Sequence, residues 1–133
     1  MVTLVDSSVL LDVLTDDPAW LAWSAEALAR AGDAGRLVIN PIIYAEVSTG
    51  FDRIEDLDEA VSAADFERQQ LPYQAGFVAG KAFLAYRQRG GERRSPLRDF
   101  YIGAHAAVSG YRLLTRDAAR YRTYFPSVEL IAP

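Results

Sequence analysis

The sequence has no cysteine and a single histidine among its 133 residues. Without cysteine there is no disulfide and no thiolate metal site, which fits a reducing cytoplasm. No apolar run approaches the about 20 residues that span a bilayer, so no membrane role is expected. No basic stretch followed by a long apolar one opens the chain, so no secretory leader is expected either. Internal repeats and low-complexity tracts are missing. No G-x-G-x-x-G follows the first apolar run, which disfavours a dinucleotide-binding fold. What is present is ordinary globular composition, 50% hydrophobic and 24% charged. The reading is one cytoplasmic domain spanning 1–133, long enough to bury a sizeable core.

The net charge of −4 hides an asymmetry. Residues 1–67 carry 14 acids and 3 arginines, a sum of −11, whereas residues 68–133 carry 11 bases and 4 acids, a sum of +7. Overall acidity argues against indiscriminate nucleic-acid binding. The basic second half leaves room for a local phosphate-binding surface. Solvated helix faces account for most of the charges.

Hydrophobic patterning alternates short strands with helices. "VTLVD", "RLVIN", "RLLT" and "VELIA" read as strands. "SSVLLDVL" reads as a helix. Asp17 as N-cap with Pro18 at the first helical position starts another, carrying Trp20, Trp23, Ala27, Leu28 and Ala31 at helical spacing. "PIIYAEVSTGF" is helical. The acidic stretch from Glu55 to Phe66 reads as an amphipathic helix with Ile54, Leu57 and Val61 inward. Tyr73 to Arg89 is a longer helix, whose Gly76 and Gly80 suit close packing. Asp99 to Ser109 and "RDAARYRTYF" complete the set. The alternation predicts an α/β layered fold with a mostly parallel central sheet.

Four carboxylates resist a bland reading. Asp6 ends the first strand and Asp117 follows a later one, at the edge where open parallel sheets bind ligands. Each reads equally well as a helix cap. Glu46 sits among Ile42, Ile43, Ala45 and Val47, either on a solvated helix position or in a site. Asp99 begins a helix, where the N-terminal dipole favours it. Ile102, Gly103 and Ala106 share its face, so it should point inward. Together the four can converge on one cleft. Four carboxylates without cations repel one another and some take up protons. Mg2+ or Mn2+, hard cations with oxygen ligands, removes that conflict. The chemistry suggested is metal-assisted phosphodiester hydrolysis, one ion activating water and a second stabilising the leaving oxygen.

At this point "LVDSSVLLDVL", "INPIIYAEV", "RDFYIGAHA" and "LLTRDAARYRTYFPSVELI" resemble, in order and over essentially the whole chain, the motifs of PIN domains. More narrowly they resemble the VapC-type toxins of bacterial toxin–antitoxin pairs. The resemblance implies a three-layer PIN-like α/β fold, its central mostly parallel sheet flanked by helices. It implies a metal-dependent endoribonuclease in which Asp6, Glu46, Asp99 and Asp117 hold Mg2+ or Mn2+. Asp6 and Asp99 would be direct ligands. Glu46 and Asp117 would bind the metal, position water or act through waters. Thr115 would support the site by hydrogen bonding. Ser8 stands where the family commonly has Asn; it keeps an oxygen but lacks the amide's donors. The implied partners are RNA, a VapB-type antitoxin that docks across the groove, and a second copy in a homodimer.

RNA also gives the basic half a purpose. Arg87, Arg89, Arg93, Arg94, Arg98 and Arg116 flank the Asp99 helix entry or adjoin Asp117, as a phosphate-binding set requires. A solvated loop is the alternative. Tyr73, Tyr86 and Tyr101 either stack on bases or pack in the core. His105 lies roughly 240° around its helix from Asp99 and is read as a packing residue, which disfavours a histidine-dependent ribonuclease. A phosphatase of the haloacid-dehalogenase kind needs a second Asp at position 8, where Ser8 stands. A receiver domain needs an acidic pair where "VDSS" has one acid. Two alternatives stay open: a non-catalytic PIN-like module that binds RNA or protein, and a solitary PIN nuclease without an antitoxin. The intact quartet favours catalysis over the first.

Overall fold

Short aliphatic runs become the strands. β1 is Val2–Val5, β2 Arg36–Ile39, β3 Phe66–Arg68, β4 Arg112–Leu114 and β5 Leu130–Ile131. In the computed structural model, which describes residues 1–91 and 97–133, they form one sheet in the order β3-β2-β1-β4-β5. Every neighbouring pair is parallel. β1 is central: Thr3 pairs with Leu37 on one side and Arg112 on the other. Leu4, Val5, Val38, Ile39, Leu113 and Leu114 are buried. Continuous apolar runs of this kind belong to parallel strands covered on both faces.

The helices are α1 (Ser7–Leu14), α2 (Leu21–Ala34), α3 (Pro41–Val47), α4 (Ile54–Ala63), α5 (Tyr73–Gln88), α6 (Leu97–Ser109) and α7 (Ala119–Tyr124). α1 packs on α2 and α3, while α5, α6 and α7 pack in series. The right-handed rule for parallel crossovers assigns these two groups to opposite faces of the sheet. An aromatic cluster joins the second group: Phe100 of α6 lies 5.6 Å from Tyr86 of α5 and 5.1 Å from Tyr124 of α7, centroid to centroid. Gly103 of α6 makes room for a further ring, since a Cβ there would meet Phe125 at 2.4 Å. Among the described residues no helix is long and apolar enough to cross a membrane.

Four local expectations are corrected. Asp17 does not start α2. Its carboxylate accepts from the N–H groups of Ala19 and Trp20, both at 2.9 Å, closing a separate turn before the helix begins at Leu21. The acidic helix α4 ends at Ala63, and Phe66 opens β3. That edge strand was masked by its charges: Glu67 pairs with Arg36 and Arg68 with Asp58, as suits an edge protected from further pairing. Ile54, at the first position of α4, is 62% exposed rather than inward. Finally, Ala75 and Ala79 form the close-packed face of α5, while a side chain at Gly80 would meet open space.

The sheet order sets where a site can lie. From β1 the chain builds outward through β2 to β3, then returns past β1 to add β4 and β5. Direction reverses between β1 and β4, so their carboxyl ends part there. Such switch points are the crevices in which open α/β sheets bind ligands. Asp6 and Thr115 follow directly on those two strands.

Candidate active site

Asp6 occupies the N-cap position of α1 yet makes no side-chain cap hydrogen bond. Its backbone N–H is held by Leu114 O at 2.9 Å, tying it to the end of β4. The carboxylate is only 6% exposed. Thr115 Oγ1 donates to Oδ2 at 2.8 Å, and the Tyr121 hydroxyl approaches the same oxygen at 3.4 Å. Ser7 Oγ lies 3.4 Å from Oδ1. No ion pair reaches Asp6 among the described residues. Burial, the Asp99 carboxylate and the Glu46 carboxylate, in that order, push its pKa up to about 6 against the pull of the Thr115 hydrogen bond. The same burial, with Asp6, Asp99 and Glu46 adding to it, pushes the Tyr121 hydroxyl up, so this buried phenol stays a proton donor.

Glu46 comes from the last turn of α3 and Asp99 from the first turn of α6. Ser7 Oγ lies 3.2 Å from Glu46 Oε1, so one hydroxyl stands between the Asp6 and Glu46 carboxylates. Arg98 Nη1 pairs with Glu46 Oε2 at 2.9 Å, and Arg120 Nη1 pairs with Asp99 Oδ2. Asp117 is exposed on the loop after β4. Its N–H donates to Thr115 Oγ1 at 3.1 Å, so Thr115 braces both acids of the two strand ends. Asp99 and Asp117 line one cavity of about 500 Å3 with Arg116 and Arg120. Among the described residues, no three acids or histidines already stand close enough together to hold an ion.

The remaining sequence candidates fall in different places. Ser8 Oγ is buried without a hydrogen-bond partner, and its neighbour Ser7 makes the contacts. Arg87 and Arg89 are exposed and lie over the Phe83 and Tyr124 rings at 6.0 and 5.7 Å. Arg93 and Arg94 lie outside the described residues. Arg116 is half-buried, with Nε 3.1 Å from Asp12 Oδ2 and its guanidinium 5.2 Å from the Trp20 ring centroid. Tyr73 is fully exposed, Tyr86 sits in the aromatic cluster, and Tyr101 packs against the core. His105 is fully buried with Nδ1 3.0 Å from the Asn40 amide, and burial holds its pKa down. It packs, as its position on α6 implied.

The PIN domain family model matches residues 3–126. The chain belongs to the PIN domain family. Solved structures of similar fold include VapBC2 from Rickettsia felis bound to a DNA fragment from its promoter. That match has 17% identity and a TM-score of 0.73, covering 100% of this chain and 99% of that one. VapBC-1 from nontypeable Haemophilus influenzae aligns at 17% identity and a TM-score of 0.74, covering 99% and 98%. A toxin–antitoxin complex from Klebsiella pneumoniae aligns at 21% identity and 0.66, covering 95% and 94%. No curated protein matches the sequence.

In this PIN domain four site features escaped the sequence reading: Ser7, Tyr121, Arg120 and the buried Asp12. Asp12 carried a readable signal. It stands in "VLLDVL", an acid among apolar residues, the criterion that singled out Glu46. Ser7 and Tyr121 carried none, because a serine after a strand and a tyrosine on a short helix are common.

Proposed function

We propose that this PIN domain is a VapC-type toxin: a Mg2+- or Mn2+-dependent endoribonuclease held inactive by a VapB-type antitoxin in the cytoplasm. The observation that carries the reading is Asp6, a buried carboxylate at the sheet's switch point that shares Ser7 Oγ with the Glu46 carboxylate and, among the described residues, has no ion pair. The donor set fits a hard dication, since every candidate ligand is an oxygen and the crowding around Asp6 is what a cation relieves. Asp6, Glu46, Asp99 and Asp117 would hold it. When bound, such an ion supplies an activated water and neutralises charge on phosphate oxygens.

The chain's own residues prepare that chemistry. The Thr115 and Tyr121 hydroxyls both approach Oδ2 of Asp6, which fixes the carboxylate plane and leaves Oδ1 the less engaged oxygen. Ser7 keeps Glu46 in register with Asp6. Exposed Arg87 and Arg89, at the end of α5, supply positive charge for an RNA backbone. Arg93, Arg94 and Arg98 belong to that set, whereas Arg116 can join it only by leaving Asp12. Tyr73, Phe77 and Leu84 form an exposed apolar stripe on α5, the kind of surface a protein partner covers. Antitoxin and a second copy of the chain both belong to this reading. The toxin–antitoxin complexes of similar fold support it.

The test incubates purified protein with total RNA and Mg2+ or Mn2+, beside EDTA and the Asp6→Asn and Asp99→Asn variants. Cleavage is expected only in the metal-loaded wild type. Cleavage that persists in EDTA, or in both variants, overturns the mechanism. Co-purification with the product of a short neighbouring gene tests the antitoxin. One observation favours a second reading, a non-catalytic RNA- or protein-binding PIN module: Arg98 and Arg120 already occupy two of the acids. Metal-independent RNA binding without cleavage would select it.

A further inference from the structure

Arg120 combines three features that a solvated surface arginine does not need. It pairs with Asp99, an acid of the candidate site. Its guanidinium lies 5.9 Å from the Tyr86 ring centroid. It lines the cavity that also holds Asp117. Arg116, the other arginine of that cavity, is committed to the buried Asp12. The Asp99–Arg120 pair is about a third exposed on both sides, so it is cheap to break. A dication on Asp99 offers that carboxylate twice the charge of a guanidinium and repels Arg120 at the same time. The displaced guanidinium keeps the Tyr86 face as a support and stays in the acid-lined cavity. An RNA phosphate held near the acids is then its natural counter-charge, and a guanidinium fork suits phosphate oxygens better than a point charge.

We propose that Arg120 is a phosphate-binding residue of the RNA site, parked on Asp99 until a divalent cation takes that carboxylate. This rests on the metal-nuclease reading above and adds a role for a residue outside the acidic quartet. It makes two linked demands. Arg120 competes with metal in the RNA-free protein, and it attracts substrate in the loaded one.

The experiment compares wild type, Arg120→Gln and Arg120→Lys, each checked by thermal melting. Mn2+ binding to the RNA-free protein is measured by calorimetry. Removal of the competing charge in Arg120→Gln is expected to tighten Mn2+ binding by about fivefold. Steady-state cleavage of total RNA, read as acid-soluble nucleotides at saturating Mg2+, is expected to show kcat/KM lowered about tenfold in Arg120→Gln. The salt dependence of kcat/KM should become shallower by about 0.7 in the log–log slope, one phosphate contact on a single strand. Arg120→Lys should restore that slope but only part of kcat/KM. Mn2+ affinity that does not change, or a slope that does not change, overturns the proposal. If Arg120→Gln does not fold, Arg120→Lys decides alone, and wild-type kcat/KM in it overturns the proposal. Wild-type Mn2+ binding that survives Asp99→Asn overturns instead the metal-nuclease reading beneath it, so the two failures are distinct.

Discussion

Asp6 and Asp12 begin and nearly end the same short segment, and both are buried, at 6% and 2% exposure. Their surroundings differ completely. Asp12 Oδ2 accepts from Ser24 Oγ at 2.7 Å and lies 3.1 Å from Arg116 Nε. Its charge is matched, and the pair pins α1 and α2 to the loop that carries Asp117. Asp6 has hydroxyls for partners and carboxylates for neighbours, and its pKa rises accordingly. A buried acid matched by a cation is part of the scaffold. One left unmatched beside further acids is costly, and such cost concentrates at sites that await a charge.

The sharpest way to break this contrast is to remove the charges one at a time. Asp6→Asn should lower RNA cleavage roughly a thousandfold or more, several kcal/mol of barrier, while the protein stays folded by circular dichroism. Asp12→Ala should do the reverse. It leaves Arg116 without its buried partner and should cost about 3 kcal/mol, seen as a melting point lower by on the order of 10 °C. Its kcat, per folded molecule, should stay close to wild type. If Asp12→Ala abolishes cleavage at full stability, or Asp6→Asn melts the fold, the two acids have been assigned the wrong way round.

A smaller effect separates them by pH. Folded Asp6 keeps its proton up to about pH 6, whereas an unfolded Asp releases it near 3.8. The native state therefore holds more protons between those values, and stability falls as pH rises through the window. In EDTA, wild type should lose up to about 3 kcal/mol relative to Asp6→Asn between pH 4 and 6, then stay level. A pH-independent gap between the two urea midpoints would refute the unmatched charge. The smallest change is expected from Thr115→Val. It deletes the donor that holds the pKa of Asp6 down, costs about 1 kcal/mol, and should extend the upper edge of the window to higher pH while the lower edge stays put. A window unchanged in Thr115→Val would mean the 2.8 Å hydrogen bond to Asp6 does not stabilise its charged form.

Much of this organisation was legible because strands buried on both faces must be apolar throughout. "VTLVD", "RLVIN" and "RLLT" became the three central strands for that reason. β3 was not legible, since "FER" owes its place to backbone pairing with β2 and to ion pairs formed only after folding. The quartet residues were visible as acids in the wrong company. Their closeness is partial: the Glu46 and Asp99 carboxylates both raise the pKa of Asp6, and Asp117 joins Asp99 at a cavity. Which arginine meets which acid could not be read, because Arg120–Asp99 and Arg116–Asp12 are set by how α6, α7 and α1 pack. The cap reading of Asp6 also needed geometry to weigh, since its side chain makes no cap hydrogen bond in the fold.

The order of strands has a consequence in time. The hydrogen bond that orients Asp6 reaches it from Thr115, 109 residues further along the chain. During synthesis β1 is made first, but one of its two edges stays unfilled until β4 has left the ribosome. Until then Asp6 has neither Thr115 nor Tyr121 to hold it, and Asp117 does not yet exist. A chain that stops short of β4 therefore lacks the hydroxyls that orient Asp6, and under the nuclease reading proposed above it has no assembled site to cut with.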